Sequence, residues 1–193
     1  ASPDEKKVWV SCWDSDRVVE IDTFSRKETR YFATSGTPRG LALTPDESGL
    51  LVTIYSSSGV DLVDLKTGVR KTTFVAAPGR EYAMRHIVHD GIRGEYYITA
   101  MGTTRVYRMS GAGEWLGWWT VGEKPNSCSL SPDGRYLYVS CRGPNNPDDG
   151  YLVKGYEYGK VYIINLKSGL VEGWIWGRDQ TTGLDVSPDG RYL

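Results

Sequence analysis

The residues best suited to chemistry are Arg85 and His86, adjacent in the segment MRHIVHDG that starts at Met84. A guanidinium can grip a carboxylate or phosphate through two parallel hydrogen bonds, and an imidazole exchanges protons near neutral pH. Neighbours on a strand point to opposite faces, so no more than one of the pair should reach any given pocket. The second of the two histidines, His89, is three residues from His86 and thus on the other face of the same predicted strand, so no metal pair forms and no metal site is expected. Cys12, Cys128 and Cys141 contain no C-x-x-C. Asp14 and Asp16, with Asn145, Asp148 and Asp149, could offer oxygen ligands to a hard cation, yet they are also ordinary turn formers and are read as solvated loops. No G-x-S-x-G, G-x-G-x-x-G or P-loop occurs, and GAGEWLG at Gly111 spaces its glycines differently. No cofactor and no catalytic residue is assigned.

What positions these groups is a repeat. SPDGRYLYVSC, Ser131 to Cys141, recurs as ASPDEKKVWVSCW at Ala1, LTPDESGLLVTIY at Leu43, HDGIRGEYYITAM at His89 and VSPDGRYL at Val186. Aligned on Pro3, Pro45, Gly91, Pro132 and Pro188, the spacings are 42, 46, 41 and 56 residues, the last containing an insertion. Within each unit a turn precedes a strand, a loop, a second strand, a short turn, a third strand and a Gly- or Pro-bearing loop into a fourth. No stretch keeps a 3.6-residue period. The period is that of a four-stranded propeller blade, so the chain is all-β, with four antiparallel blades near 4–46, 47–91, 92–133 and 134–189.

Superposing the units places Arg39, Arg85, Asn126 and Thr182 at one position, just before four inner strands, where they should ring the central axis. With His86 they are the candidate ligand-binding residues. On the same face falls the insertion GPNNPDDGYLVKGYEYG, Gly143 to Gly159. Its Asn145, Asn146, Asp148, Asp149, Tyr151, Tyr156 and Tyr158 are the candidate partner-binding loop, since tyrosine gives large contact area at low entropic cost. Trp118, Trp119, Trp174 and Trp176 lie on outer strands, where packing between blades competes with sugar stacking or partner docking as their role. A three-residue Pro132-Asp133-Gly134 loop would set Cys128 across from Tyr138 and turn Cys141 to the opposite face, disfavouring a disulfide; a four-residue loop would reverse this.

With 23 Lys plus Arg against 24 Asp plus Glu, the balance suggests neither a nucleic-acid nor an anionic-membrane surface. No apolar run reaches the ~20 residues of a transmembrane helix. Ala1 opens inside a repeat and Leu193 stops inside one, so a longer chain is expected.

The pattern P-x-G-[LI]-x-x-[ST]-P-D-[GE]-x-x-L-x-V, carried by Pro38 to Val52, Pro125 to Val139 and Thr181 to Leu193, resembles the YVTN-type repeats of lactonase-like β-propellers. MRHIVHDG looks like the P-R-H-[IF] segment of phosphogluconolactonase-like members, with Met84 in place of Pro. The resemblance implies a seven-bladed ring of which four blades are present. It also implies three alternative functions: a non-catalytic scaffold binding a partner protein or small ligand on its funnel face, a lactonase-type hydrolase, or a surface-layer or assembly module. A periplasmic, extracellular or cell-surface location is expected, as is assembly with further blades or chains.

Overall fold

The computed structural model describes residues 1–77, 82–144, 159–177 and 180–193. Period-two alternation and Pro-Asp turns yield fifteen strands among these residues, all antiparallel to their neighbours. The first sheet holds β1 (Lys7–Cys12), β2 (Arg17–Asp22) and β3 (Lys27–Ala33). The second runs β4 (Pro38–Leu43), β5 (Gly49–Ile54), β6 (Gly59–Asp64), β7 (Arg70–Val75). The third is β8 (Met84–Asp90), β9 (Glu95–Ala100), β10 (Arg105–Ser110), β11 (Trp115–Thr120), and the fourth β12 (Pro125–Leu130), β13 (Tyr136–Cys141), β14 (Lys160–Asn165), β15 (Leu170–Trp176). A 3-10 turn, Trp13–Ser15, follows β1.

The expected blade order is thus present, with two differences. Each blade begins with the strand before the Pro-Asp turn, so three strands of a turn-to-turn unit join one sheet and the fourth joins the next. The first sheet has three strands among the described residues. At the other end, residues 182–186 were expected to form an inner strand. They lie along β12, where Ser129 Oγ donates to Asp185 Oδ1 at 2.8 Å, but they pair with no strand and build no ladder.

The turns explain the Pro-Asp-Gly spelling. Their third residue sits in the left-handed region, at Gly134 (φ 65°), Gly190 (φ 70°), Glu5 (φ 57°) and Glu47 (φ 57°), a conformation glycine adopts without cost. In the turn at Pro132, Ser131 Oγ accepts from the Tyr136 amide at 2.9 Å and donates to Asp133 Oδ1 at 2.6 Å. Ser131 faces Tyr136, so the loop has four residues rather than three. Cys128 accordingly pairs with Val139, on the face that also carries Cys141. Both thiols are nonetheless free, buried in one apolar cluster with Leu137, Ile164 and Tyr97.

Blades meet through their inner strands and three apolar clusters, one at each of the three junctions. A polar strut joins the third and fourth blades below. Arg93 Nη1 donates to Asp90 Oδ2 and to the Gly134 carbonyl, both at 2.8 Å, while Tyr97 Oη also donates to Asp90 Oδ2 at 2.8 Å. Burial opposes ionisation of Asp90, but the Arg93 guanidinium, the Tyr97 hydroxyl and the Arg93 and Ile92 amides outweigh it and hold its pKa below the ordinary value. A carboxylate depressed in the folded state stabilises fully above its unfolded pKa, ~4, and loses that contribution as pH falls through the folded value. Asp90→Asn should therefore be less stable than wild type at pH 7, with the difference shrinking from pH 4 to pH 2. Thermal melts across that range test this, and a gap that stays constant would refute the assignment.

Candidate functional site

Each inner strand bulges at its second residue. Arg39 and Gly40 together face Thr53, Arg85 and His86 face Thr99, and Asn126 and Ser127 face Ser140. The facing residue is a hydroxyl because the bulge frees an amide from the ladder. Thr53 Oγ1 accepts from the Gly40 amide at 2.7 Å, Thr99 Oγ1 from His86 at 3.0 Å and Ser140 Oγ from Ser127 at 3.0 Å. The same hydroxyl spends its proton on the next blade. Thr53 donates to the Arg85 carbonyl at 3.0 Å, Thr99 to that of Asn126 at 2.8 Å, Ser140 to that of Thr182, and Ser11 to that of Arg39 at 2.8 Å. Thr53, Thr99 and Ser140 are fully buried.

This relay is the circumferential stitching of the four sheets. It also fixes the backbone of all four aligned funnel positions. Their repeated hydroxyl, in VSC, VTI, ITA and VSC, was visible in the sequence as a recurring small polar residue on otherwise apolar strands.

Above the relay, Arg39, Arg85, His86 and Asn126 line one cavity of ≈ 180 Å³ with Ser11, Gly40 and Ser127. Thr182 does not line it, although its carbonyl caps the relay. Arg85 and His86 share the cavity despite being adjacent, because the bulge breaks the alternation that should have separated them. The residues proposed for the partner-binding loop, Asn145, Asn146, Asp148, Asp149, Tyr151, Tyr156 and Tyr158, lie outside the described residues.

The lining carries two guanidinium groups and, among the described residues, no carboxylate. Desolvation lowers the His86 pKa, the Arg85 charge lowers it further, and Asp185 opposes them. His86 Nδ1 faces the Cys128 amide at 3.3 Å, and only a neutral ring unprotonated at Nδ1 can accept from it, which leaves Nε2 as a donor. The neighbouring Cys128 thiol has its pKa raised by burial and is no nucleophile.

A second tier packs against the lining from positions two residues beyond each relay hydroxyl: Trp13, Tyr55, Met101 and Arg142. The Arg39 guanidinium lies 3.7 Å from the Trp13 ring centroid and 5.4 Å from that of Tyr55. Tyr55 Oη and Asn126 Nδ2 both reach Met101 Sδ, at 3.7 and 3.9 Å, and Arg142 bonds Gln180 Oε1. Stacking on Trp13 orients Arg39 in the same way that a bulge orients Arg85.

The outer tryptophans divide. Trp119 packs edge-on to Tyr97 at 5.4 Å and donates to the Gly169 carbonyl at 2.9 Å, as an interblade residue should. Trp118, Trp174 and Trp176 are exposed.

No family model matches the chain. Antigen Lp49 of Leptospira interrogans serogroup Icterohaemorrhagiae serovar copenhageni (strain Fiocruz L1-130) is 38% identical over 191 residues, an alignment that covers 96% of this chain and 42% of that protein. The chain thus spans less than half the length of this relative. Among solved structures, Kuenenia stuttgartiensis hydrazine synthase superposes with a TM-score of 0.83 at 21% identity, over 98% of this chain and 52% of that one. The likeness is one of fold.

Proposed function

We propose that the chain is a non-catalytic β-propeller scaffold that holds an anionic group, a carboxylate or phosphate of a small ligand or partner protein, over its funnel cavity. The observation that carries this reading is the lining itself. Arg39 and Arg85 supply positive charge, Asn126 and the Nε2 of neutral His86 add polar donors, and among the described residues no carboxylate lines the cavity. Hydrolysis finds less support. The one imidazole at the site has its Nδ1 engaged by an amide and its basicity reduced, the Ser11 hydroxyl is committed to the Arg39 carbonyl, and the buried thiol stays protonated. We read the repeat as YVTN-type and the ring as seven-bladed, in keeping with the propellers it resembles. The name of the relative, an antigen, favours a surface or extracellular location.

Calorimetric titration of the protein with inorganic phosphate, citrate and 6-phosphogluconate tests the site. Binding should weaken by about ten- to a hundredfold in Arg85→Ala, the cost of one charge-assisted contact. Equal affinity in the variant, or no anion binding at all, would remove the proposal. Turnover of a sugar lactone above the spontaneous rate, abolished in His86→Gln, would replace it with the hydrolase.

A further inference from the structure

A second site lies away from the axis, in the wedge between the outer parts of the third and fourth blades. The cavity there measures ≈ 200 Å³. Its floor is Val121, Gly122 and Cys141, and its polar rim is Thr104, Glu123, Lys160 and Tyr162. On the fourth-blade wall, Tyr162 pairs with Trp174 and Lys160 with Trp176, so all four side chains share one face of the sheet. Trp174 and Trp176 are 42% and 61% exposed, with centroids 4.6 Å apart and planes at 75°. Lys160 Nζ lies 4.7 Å from each centroid, fastening the pair and linking it to the cavity rim.

We propose that this wedge binds a neutral sugar, whose ring C–H face stacks on Trp174 or Trp176 while its hydroxyls meet Lys160, Glu123, Tyr162 and Thr104. The lining selects that class by exclusion. Among the described residues the lining holds one Lys and one Glu, which together carry no net charge and favour neither an anion nor a cation. A quaternary ammonium stacked on either ring would be repelled by the like charge of Lys160, whose Nζ lies 4.7 Å from both centroids, whereas an uncharged ring would not. A hydrocarbon would strand the ammonium and carboxylate without water. A polyhydroxylated ring satisfies both halves, since each hydroxyl donates and accepts and each ring face is apolar. Two large aromatic surfaces left in solvent at the lip of a polar cavity are otherwise a net cost to the fold.

The test is calorimetric titration of the protein with glucose-, galactose- and N-acetylglucosamine-based oligosaccharides. At least one series should saturate. Trp174→Ala and Trp176→Ala should each weaken binding about tenfold or more while leaving the melting temperature in place, because both rings are exposed. Gly122→Ala offers an orthogonal probe: its Cβ would lie 2.7 Å from Tyr162 Cε2, displacing that ring and reducing affinity with both tryptophans intact. Arg85→Ala should leave sugar binding unchanged, which separates this site from the funnel. Three results would overturn the proposal: no neutral oligosaccharide bound at ~10 mM, a concentration that detects even weak sites; binding indifferent to both tryptophans; or a preference for an anionic polysaccharide that is lost in Arg85→Ala.

Discussion

Replacing Gly40 by alanine is expected to destabilise the protein by about 3 kcal/mol or more, toward the upper end for overpacking of a tight interior. Gly40 is buried in the bulge of β4, and its backbone angles are open to any residue; space is what alanine lacks. A Cβ there would lie 2.8 Å from the Arg85 carbonyl oxygen, 2.8 Å from His86 Cα and 2.9 Å from Ile87 N. All three are backbone atoms of β8, so no side chain can rotate away, and the two blades must part along their inner strands. Parting them also breaks the bond that Thr53 donates to the Arg85 carbonyl. Gly91→Ala is the control, since the nearest atom to a Cβ there is His89 Cε1 at 3.8 Å. Urea unfolding of the two variants decides the matter. A Gly40→Ala protein within ~0.5 kcal/mol of wild type, the usual range of an inconsequential surface change, would show that the blades are not held at this contact.

The sequence displayed the fold because the features that make a blade are local. A Pro-Asp turn, a period-two strand and a 43-residue rhythm each act over a few neighbours. The aligned positions Arg39, Arg85 and Asn126 came from the same rhythm, and these three of the four aligned residues line one cavity. What stayed hidden depends on one-residue shifts. The fourth residue of the Pro132 loop moves Cys128 from facing Tyr138 to facing Val139. The bulge at Arg85 lets two adjacent side chains enter one cavity. Pattern reading assumes an unbroken ladder, so it errs wherever the ladder gains a residue. Buried carboxylates such as Asp61, which accepts from Ser35 and Thr73, gave no signal either, because an acidic residue on a strand reads as solvent-facing until its partners are known.

Thr99→Val should cost about 2–4 kcal/mol, while Thr99→Ser stays within about 1 kcal/mol of wild type. Valine matches the shape of threonine, so no cavity forms and the change isolates one hydroxyl. That hydroxyl is fully buried between two blades and has two partners, the His86 amide at 3.0 Å and the Asn126 carbonyl at 2.8 Å. The bulge excludes that amide from the β8–β9 ladder, and the valine variant would leave both groups buried and unmatched, each carrying the desolvation penalty of an orphaned polar group. Serine restores both bonds and loses a methyl. Urea unfolding of the pair, with hydrogen exchange of the His86 amide as the local readout, separates hydroxyl from packing: equal stability of the two variants would sink the relay. The consequence reaches the funnel, because the relay sets how far Arg85 stands from Asn126 without contributing charge to either. If the site works as a preorganised anion cradle, Thr99→Val should also weaken phosphate binding though every lining side chain remains, and Thr99→Ser should restore it.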